Sequence, residues 1–215
     1  MALQQETVVL LHGALMTGKV MSVLAMRLKG CGYRTELYDY PTRRRSMQDN
    51  AKSLIRFVAR LGAGRVHLVG HSMGGMLILH ALQASSGMPP GRVVLMGAPV
   101  RGSAVARRLW CYSPGRWLLG AGAEAGLLEA VPDWTYGREI GVIAGEMPIG
   151  FGRVLGSLGD RHDGTVGVAE TCLQGAADSI VINASHTSMV LSRKVADQVC
   201  HFLHHGRFAL PAPAI

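Results

Sequence analysis

The chain has 215 residues, of which 48% are hydrophobic, 6% aromatic and 17% charged, with a net charge of +8. That length and apolar content predict one globular domain with a core large enough to need no staples. So few aromatics argue against a stacking platform for single-stranded nucleic acid, and the basic excess reflects scarce acids rather than a dense basic tract.

The N-terminus, "MALQQETVVLLHG", has neither a basic n-region nor a long apolar run, so a cytoplasmic protein is expected. No stretch approaches the roughly 20 apolar residues of a membrane span. Short runs rich in Val, Ile and Leu then alternate with longer helical patterns, the signature of a parallel sheet covered on both faces. The predicted strands are Thr7–His12, Arg34–Tyr40, Arg65–Gly70, Arg92–Gly97, Glu139–Gly145 and Asp178–Ala184. The predicted helices are Met21–Lys29, Met47–Leu61, Met73–Ser85 and Met189–Leu203. The alternation breaks between Val100 and Arg138, where a long insertion carries all three tryptophans, Trp110, Trp117 and Trp134. An insertion of that length suggests a cap over a site, at about 100–138. The final "ALPAPAI" predicts a flexible tail at about 207–215.

Four cysteines, Cys31, Cys111, Cys172 and Cys200, are spread without CxxC pairs, which predicts reduced thiols and neither zinc nor a thioredoxin-type site. The tightest charge clusters, Arg43-Arg44-Arg45 and Arg107-Arg108, read as solvated faces or as contacts to an anionic partner such as a phospholipid surface. No recognition motif supports nucleic acid.

Gly70-His71-Ser72-Met73-Gly74 matches G-x-S-x-G, and it follows a buried-type strand and opens a helix expected to be amphipathic. That strand–turn–helix setting is the one a nucleophile elbow requires. The turn is too sharp for side chains beside the serine, and Gly74 with Gly75 lets the helix cross close to the strand. Ser72 would then stand at the C-terminal edge of the sheet, where open parallel sheets bind ligands. Beneath it the Met73 N–H would be free to donate.

With "LLHGALM" (10–16), "VGHSMGG" (69–75), "GAPVRGS" (97–103) and "DGTV" (163–166) followed by Ser185-His186, the chain resembles the α/β-hydrolase family, and within it the small bacterial lipases and esterases. The resemblance covers roughly residues 7 to 205. It implies an α/β-hydrolase fold with a mostly parallel six-stranded sheet and a short cap after the fourth strand. It also implies a serine hydrolase of carboxylic esters that works without cofactor. Ser72 would be the nucleophile and His186, following the last strand, its base. Asp163, Asp160 and Glu146 are the candidate acids, and the D-G-x-V turn favours Asp163. The order Ser72, Asp163, His186 is the hydrolase order. The oxyanion donors would be the N–H groups of Met73 and Ala14. Leu15 and the cap residues Trp110, Trp117 and Leu118 are candidate substrate contacts, fitting an acyl chain of medium length or longer. Lipases with structural calcium commonly carry an acid two positions after this histidine. Ser188 stands there, so no metal is expected. The same residues would serve a thioesterase, amidase or acyltransferase, and a non-catalytic lipid-surface module is the rival of another class.

Overall fold

A computed structural model describes residues 5–135, 137–150 and 158–209. Among these described residues six strands form one sheet: β1 (Thr7–Leu11), β2 (Arg34–Tyr38), β3 (Val66–His71), β4 (Val93–Met96), β5 (Ile140–Gly145) and β6 (Asp178–Ile182). Their order is β2-β1-β3-β4-β5-β6, and every neighbouring pair is parallel. The sheet is the six-stranded one expected, with each strand within two residues of its predicted end. Every residue of β1, β3, β4 and β5 is buried, whereas the edge strands β2 and β6 are largely half-exposed. Central strands of a sheet covered on both sides read as unbroken apolar runs for this reason.

Alternation along β1 feeds two cores. Val8 and Leu10 face a cluster with helices α1 (Ser22–Gly30) and α6 (Arg193–His205), and Val9 and Leu11 face one with α2 (Met47–Arg60) and α3 (Met73–Ala84). Side chains one residue apart on a strand point to opposite faces, so a single strand nucleates both layers. Serines start three of the helices: Ser46, Ser103 and Ser192 accept the N–H of Asp49, Ala106 and Val195. Such caps are each worth about 1 kcal/mol. Ser192 also explains why the last predicted helix starts late. A short 3-10 turn at Ser188–Val190 precedes α6.

The insertion is folded rather than a loop. It contains α4 (Ala104–Trp110), α5 (Ser113–Leu119) and a π-helical turn at Glu124–Leu128. That turn lies on α3, where the His80 ring donates Nε2–H to the Ala125 carbonyl at 3.0 Å. Helix α3 is therefore buried on nearly every side rather than amphipathic. The cap supplies the apolar cover that solvent would otherwise have demanded in polar side chains.

Two further expectations are corrected. Cys31, at the end of α1, is disulfide-bonded to Cys200 on α6, with Cα atoms 6.4 Å apart, while Cys111 and Cys172 are free. Within the tail expected at about 207–215, Phe208 is instead buried, its ring 4.9 Å from that of Phe202, and its N–H donates to Asp178 at 2.7 Å. Residues 210–215 lie outside the described residues. Among the described residues no helix is long and apolar enough to cross a membrane.

Candidate active site

The turn between β3 and α3 holds Ser72 at φ 54° and ψ −123°. Positive φ is uncommon for a residue with a Cβ, and it persists only where surrounding structure enforces it. The Ser72 N–H bonds to the Met96 carbonyl on β4 at 2.8 Å, and the Ser72 carbonyl accepts from Gly75 N–H at 2.9 Å. A Cβ at position 74 would lie 2.6 Å from the His12 carbonyl oxygen, so only glycine lets α3 pass β1 at this height. Met73 is the first residue of α3, and its N–H has no acceptor within the helix.

His186 follows β6 and Asp163 lies in the chain between β5 and β6. The His186 ring donates Nδ1–H to Asp163 Oδ2 at 2.7 Å, which leaves Nε2 as the proton acceptor of the neutral ring. The other carboxylate oxygen of Asp163, Oδ1, accepts the N–H groups of Thr165 at 2.9 Å and Val166 at 2.7 Å. The turn that the D-G-x-V motif encodes thus serves the carboxylate directly. The backbones are coupled as well, His186 N–H to the Asp163 carbonyl at 2.8 Å. Asp163 is 1% exposed, a buried charge with its hydrogen-bonding capacity met. The other two candidate acids lie elsewhere: Asp160 is exposed, and Glu146 pairs with Arg161 at 2.7 Å. Gly97, at the end of β4 with φ +57°, leaves room for this pair, since a Cβ there would stand 3.2 Å from both Asp163 Oδ2 and His186 Nδ1.

Sequence reasoning treated His71 as part of the turn and missed its contact with the base. Its ring is fully buried and donates Nε2–H to the His186 carbonyl at 2.8 Å, with ring centroids 4.6 Å apart. Burial, and then the neighbouring His186, lowers its pKa from 6.5 to about 3, so the ring stays neutral. The contact joins residues 115 positions apart, and no local pattern announces it.

Ser72 and His186 open into one cavity of about 480 Å³, with Ala14, Leu15, Leu118 and Leu127 among its walls. Leu15 is the other described non-glycine residue with positive φ, at 60°. Both strained positions thus border the same cavity. Trp110 and Trp117 do not line it. They face a second cavity of about 960 Å³, because each sits one helix position from Leu109 and Leu118, which face the first. Successive helix positions point about 100° apart. Among the described residues no group of three or more His, Cys, Asp or Glu is gathered as metal ligands.

A parallel sheet that delivers a serine on a strained strand-to-helix turn, beside a histidine held by a buried aspartate, defines the α/β-hydrolase class. The chain belongs to the α/β-hydrolase family, whose model matches residues 8–198. No curated protein sequence matches it. It is similar to the mature lipase BlEst2 of Bacillus licheniformis, at 19% identity over 94% of this chain and 92% of that one, with a TM-score of 0.71. The carboxylesterase CesB of Bacillus subtilis resembles it at 15% identity over 94% and 84% of the two chains, TM-score 0.57. The pyrethroid hydrolase PytH does so at 15% identity over 94% and 98%, TM-score 0.61.

Proposed function

We propose that the protein is a serine hydrolase of carboxylic esters with Ser72, His186 and Asp163 as its catalytic triad. The observation that carries this reading is the 2.7 Å Asp163–His186 hydrogen bond, made by a histidine that lines the same cavity as a serine held at φ 54°. Ser72 Oγ attacks the ester carbonyl while His186 Nε2 takes its proton. The carbonyl carbon becomes tetrahedral, and its oxyanion accepts from the Met73 and Ala14 N–H groups. Removing such a donor costs about 3 kcal/mol of barrier. The imidazolium then protonates the leaving alcohol, giving an acyl-Ser72. Water, deprotonated by the same nitrogen, attacks the acyl carbon, and the returning proton restores Ser72 as the acid departs. Asp163 keeps the proton on Nδ1 and stabilises the imidazolium without accepting the proton itself.

The walls formed by Leu15, Leu118 and Leu127 suit an acyl chain longer than acetyl. Solved relatives that are a lipase and a carboxylesterase support the ester as the bond cleaved. The Cys31–Cys200 disulfide favours an oxidising compartment over the cytoplasmic location expected from the N-terminus. The test is hydrolysis of p-nitrophenyl esters, acetate through palmitate, by wild type and Ser72→Ala in parallel. Activity that rises beyond acetate and falls in the variant by about a million-fold supports the reading. Equal rates in both proteins would overturn it.

A further inference from the structure

The second cavity adjoins the first and differs from it in charge. Arg43, Arg44 and Arg116 line it, together with Trp110, Trp117 and one acid, Asp39. Among the described residues six arginines, Arg34, Arg65, Arg92, Arg101, Arg161 and Arg193, each pair with a carboxylate. The three arginines of the cavity do not. Two of them are held by neutral acceptors instead. Arg43 donates to the Trp117 carbonyl at 3.0 Å with its guanidinium over the Trp117 ring at 4.1 Å, and Arg116 donates to the Trp110 carbonyl at 2.9 Å and to Ser113 Oγ at 3.0 Å. These bonds fix the position of a guanidinium without cancelling its charge. Arg43 Nε is buried and has no hydrogen-bond partner. Asp39 is already engaged, accepting the Gly18 N–H at 2.8 Å and lying 2.9 Å from His12 Nε2.

The partition between the two cavities is α4 and α5. Leu109 and Leu118 face the Ser72 side, Trp110 and Trp117 face the arginines, and Met16 borders both. We propose that the basic cavity binds the phosphate group of the substrate, which makes the preferred substrate an acyl ester of a phosphate-bearing alcohol, the chemistry of an acyl glycerophosphate. This rests on the ester-hydrolase reading of Ser72. An ester at Ser72 with its acyl chain among the leucines directs its alcohol part past Met16 to the arginines. Guanidinium is the group suited to phosphate, through paired charge-assisted hydrogen bonds. A phosphate monoester carries about −1.5 to −2 at pH 7, matching the two positive charges left in excess of Asp39.

The test is calorimetric binding of octanoylglycerol phosphate and of octanoylglycerol, both monomeric, to the Ser72→Ala protein. The phosphate-bearing ester is expected to bind about ten-fold tighter or more, less so at high salt, as for a pair of charge-assisted hydrogen bonds. Arg44→Gln, at an exposed side chain, and Arg116→Gln are each expected to cut that advantage several-fold while the folded circular-dichroism spectrum is kept. Equal affinity for the two esters overturns the proposal, and so does an advantage that both variants retain. If inorganic phosphate alone binds as tightly as the octanoylglycerol phosphate, the free anion is the ligand and the ester claim fails. If only vesicles containing phosphatidylglycerol bind, the arginines dock a lipid surface and the proposal fails likewise. Turnover by wild type separates the two readings. Ser72-dependent hydrolysis with no phosphate preference removes this inference alone, whereas phosphate-selective binding without hydrolysis of any ester removes the catalytic reading and the substrate claim with it, and leaves only a phosphate-binding cavity.

Discussion

The floor of the Ser72 cavity and its roof are built on different principles. The floor is a matter of backbone: a serine at φ 54°, a glycine at 74 that no Cβ can replace, and an aspartate held by two N–H groups of its own turn. The roof is a matter of side chains: α4, α5 and the π-helical turn rest on apolar packing, on the Arg43 guanidinium over Trp117 and on arginine-to-carbonyl bonds. Backbone constraints admit few residues, so the chemistry they serve is written in short motifs. Packing admits many solutions, so the surfaces that choose a substrate carry no motif. Catalysis should therefore depend steeply on single floor residues and selectivity shallowly on many roof residues.

Asp163→Asn gives the sharpest contrast. The amide presents an N–H where Nδ1–H needs an acceptor, so the ring is held in the wrong tautomer and kcat is expected to fall by about 10⁴. A loss under ten-fold, measured with a p-nitrophenyl ester, would take Asp163 out of the mechanism. A smaller effect is expected from His71 through pH. Its pKa is lowered from 6.5 to about 3 in the fold, so between those values the unfolded chain binds a proton that the folded chain refuses. The stabilisation from its neutral form is complete above pH 6.5 and is lost as pH falls toward 3. From pH 7 to 5, the unfolding free energy measured in urea should fall by about 2 kcal/mol more for the wild type than for His71→Asn. Equal losses would contradict the burial argument. The smallest effect belongs to the roof: Leu118→Ala should lower kcat/KM for octanoate and longer esters by only about five-fold and leave acetate unchanged, since one side chain of apolar contact is worth about 1 kcal/mol. A loss for all esters alike would mean that the cap shapes the catalytic groups themselves.

The same division governs what could be read in advance. The four central strands were legible because central strands of a parallel sheet are apolar throughout, and the elbow because a glycine–serine–glycine spacing between strand and helix has few other uses. Legibility ended where contacts are remote. Cys31 and Cys200 are 169 positions apart with no spacing rule between them, and His71 meets His186 across 115. The apolar character of Trp110 and Trp117 and their position in the cap point to the acyl cavity, yet one step of helix phase turns them to the basic cavity. Helix α3 was expected to show a polar face, and the cap that covers it removed the need for one.

The central claim is that Ser72 Oγ is the attacking atom, and labelling with a fluorophosphonate followed by peptide mass mapping tests it most directly. The account predicts one adduct per chain, carried by Ser72, absent from Ser72→Ala and formed much more slowly in His186→Ala. An adduct on another residue, or labelling that persists undiminished in Ser72→Ala, would contradict it.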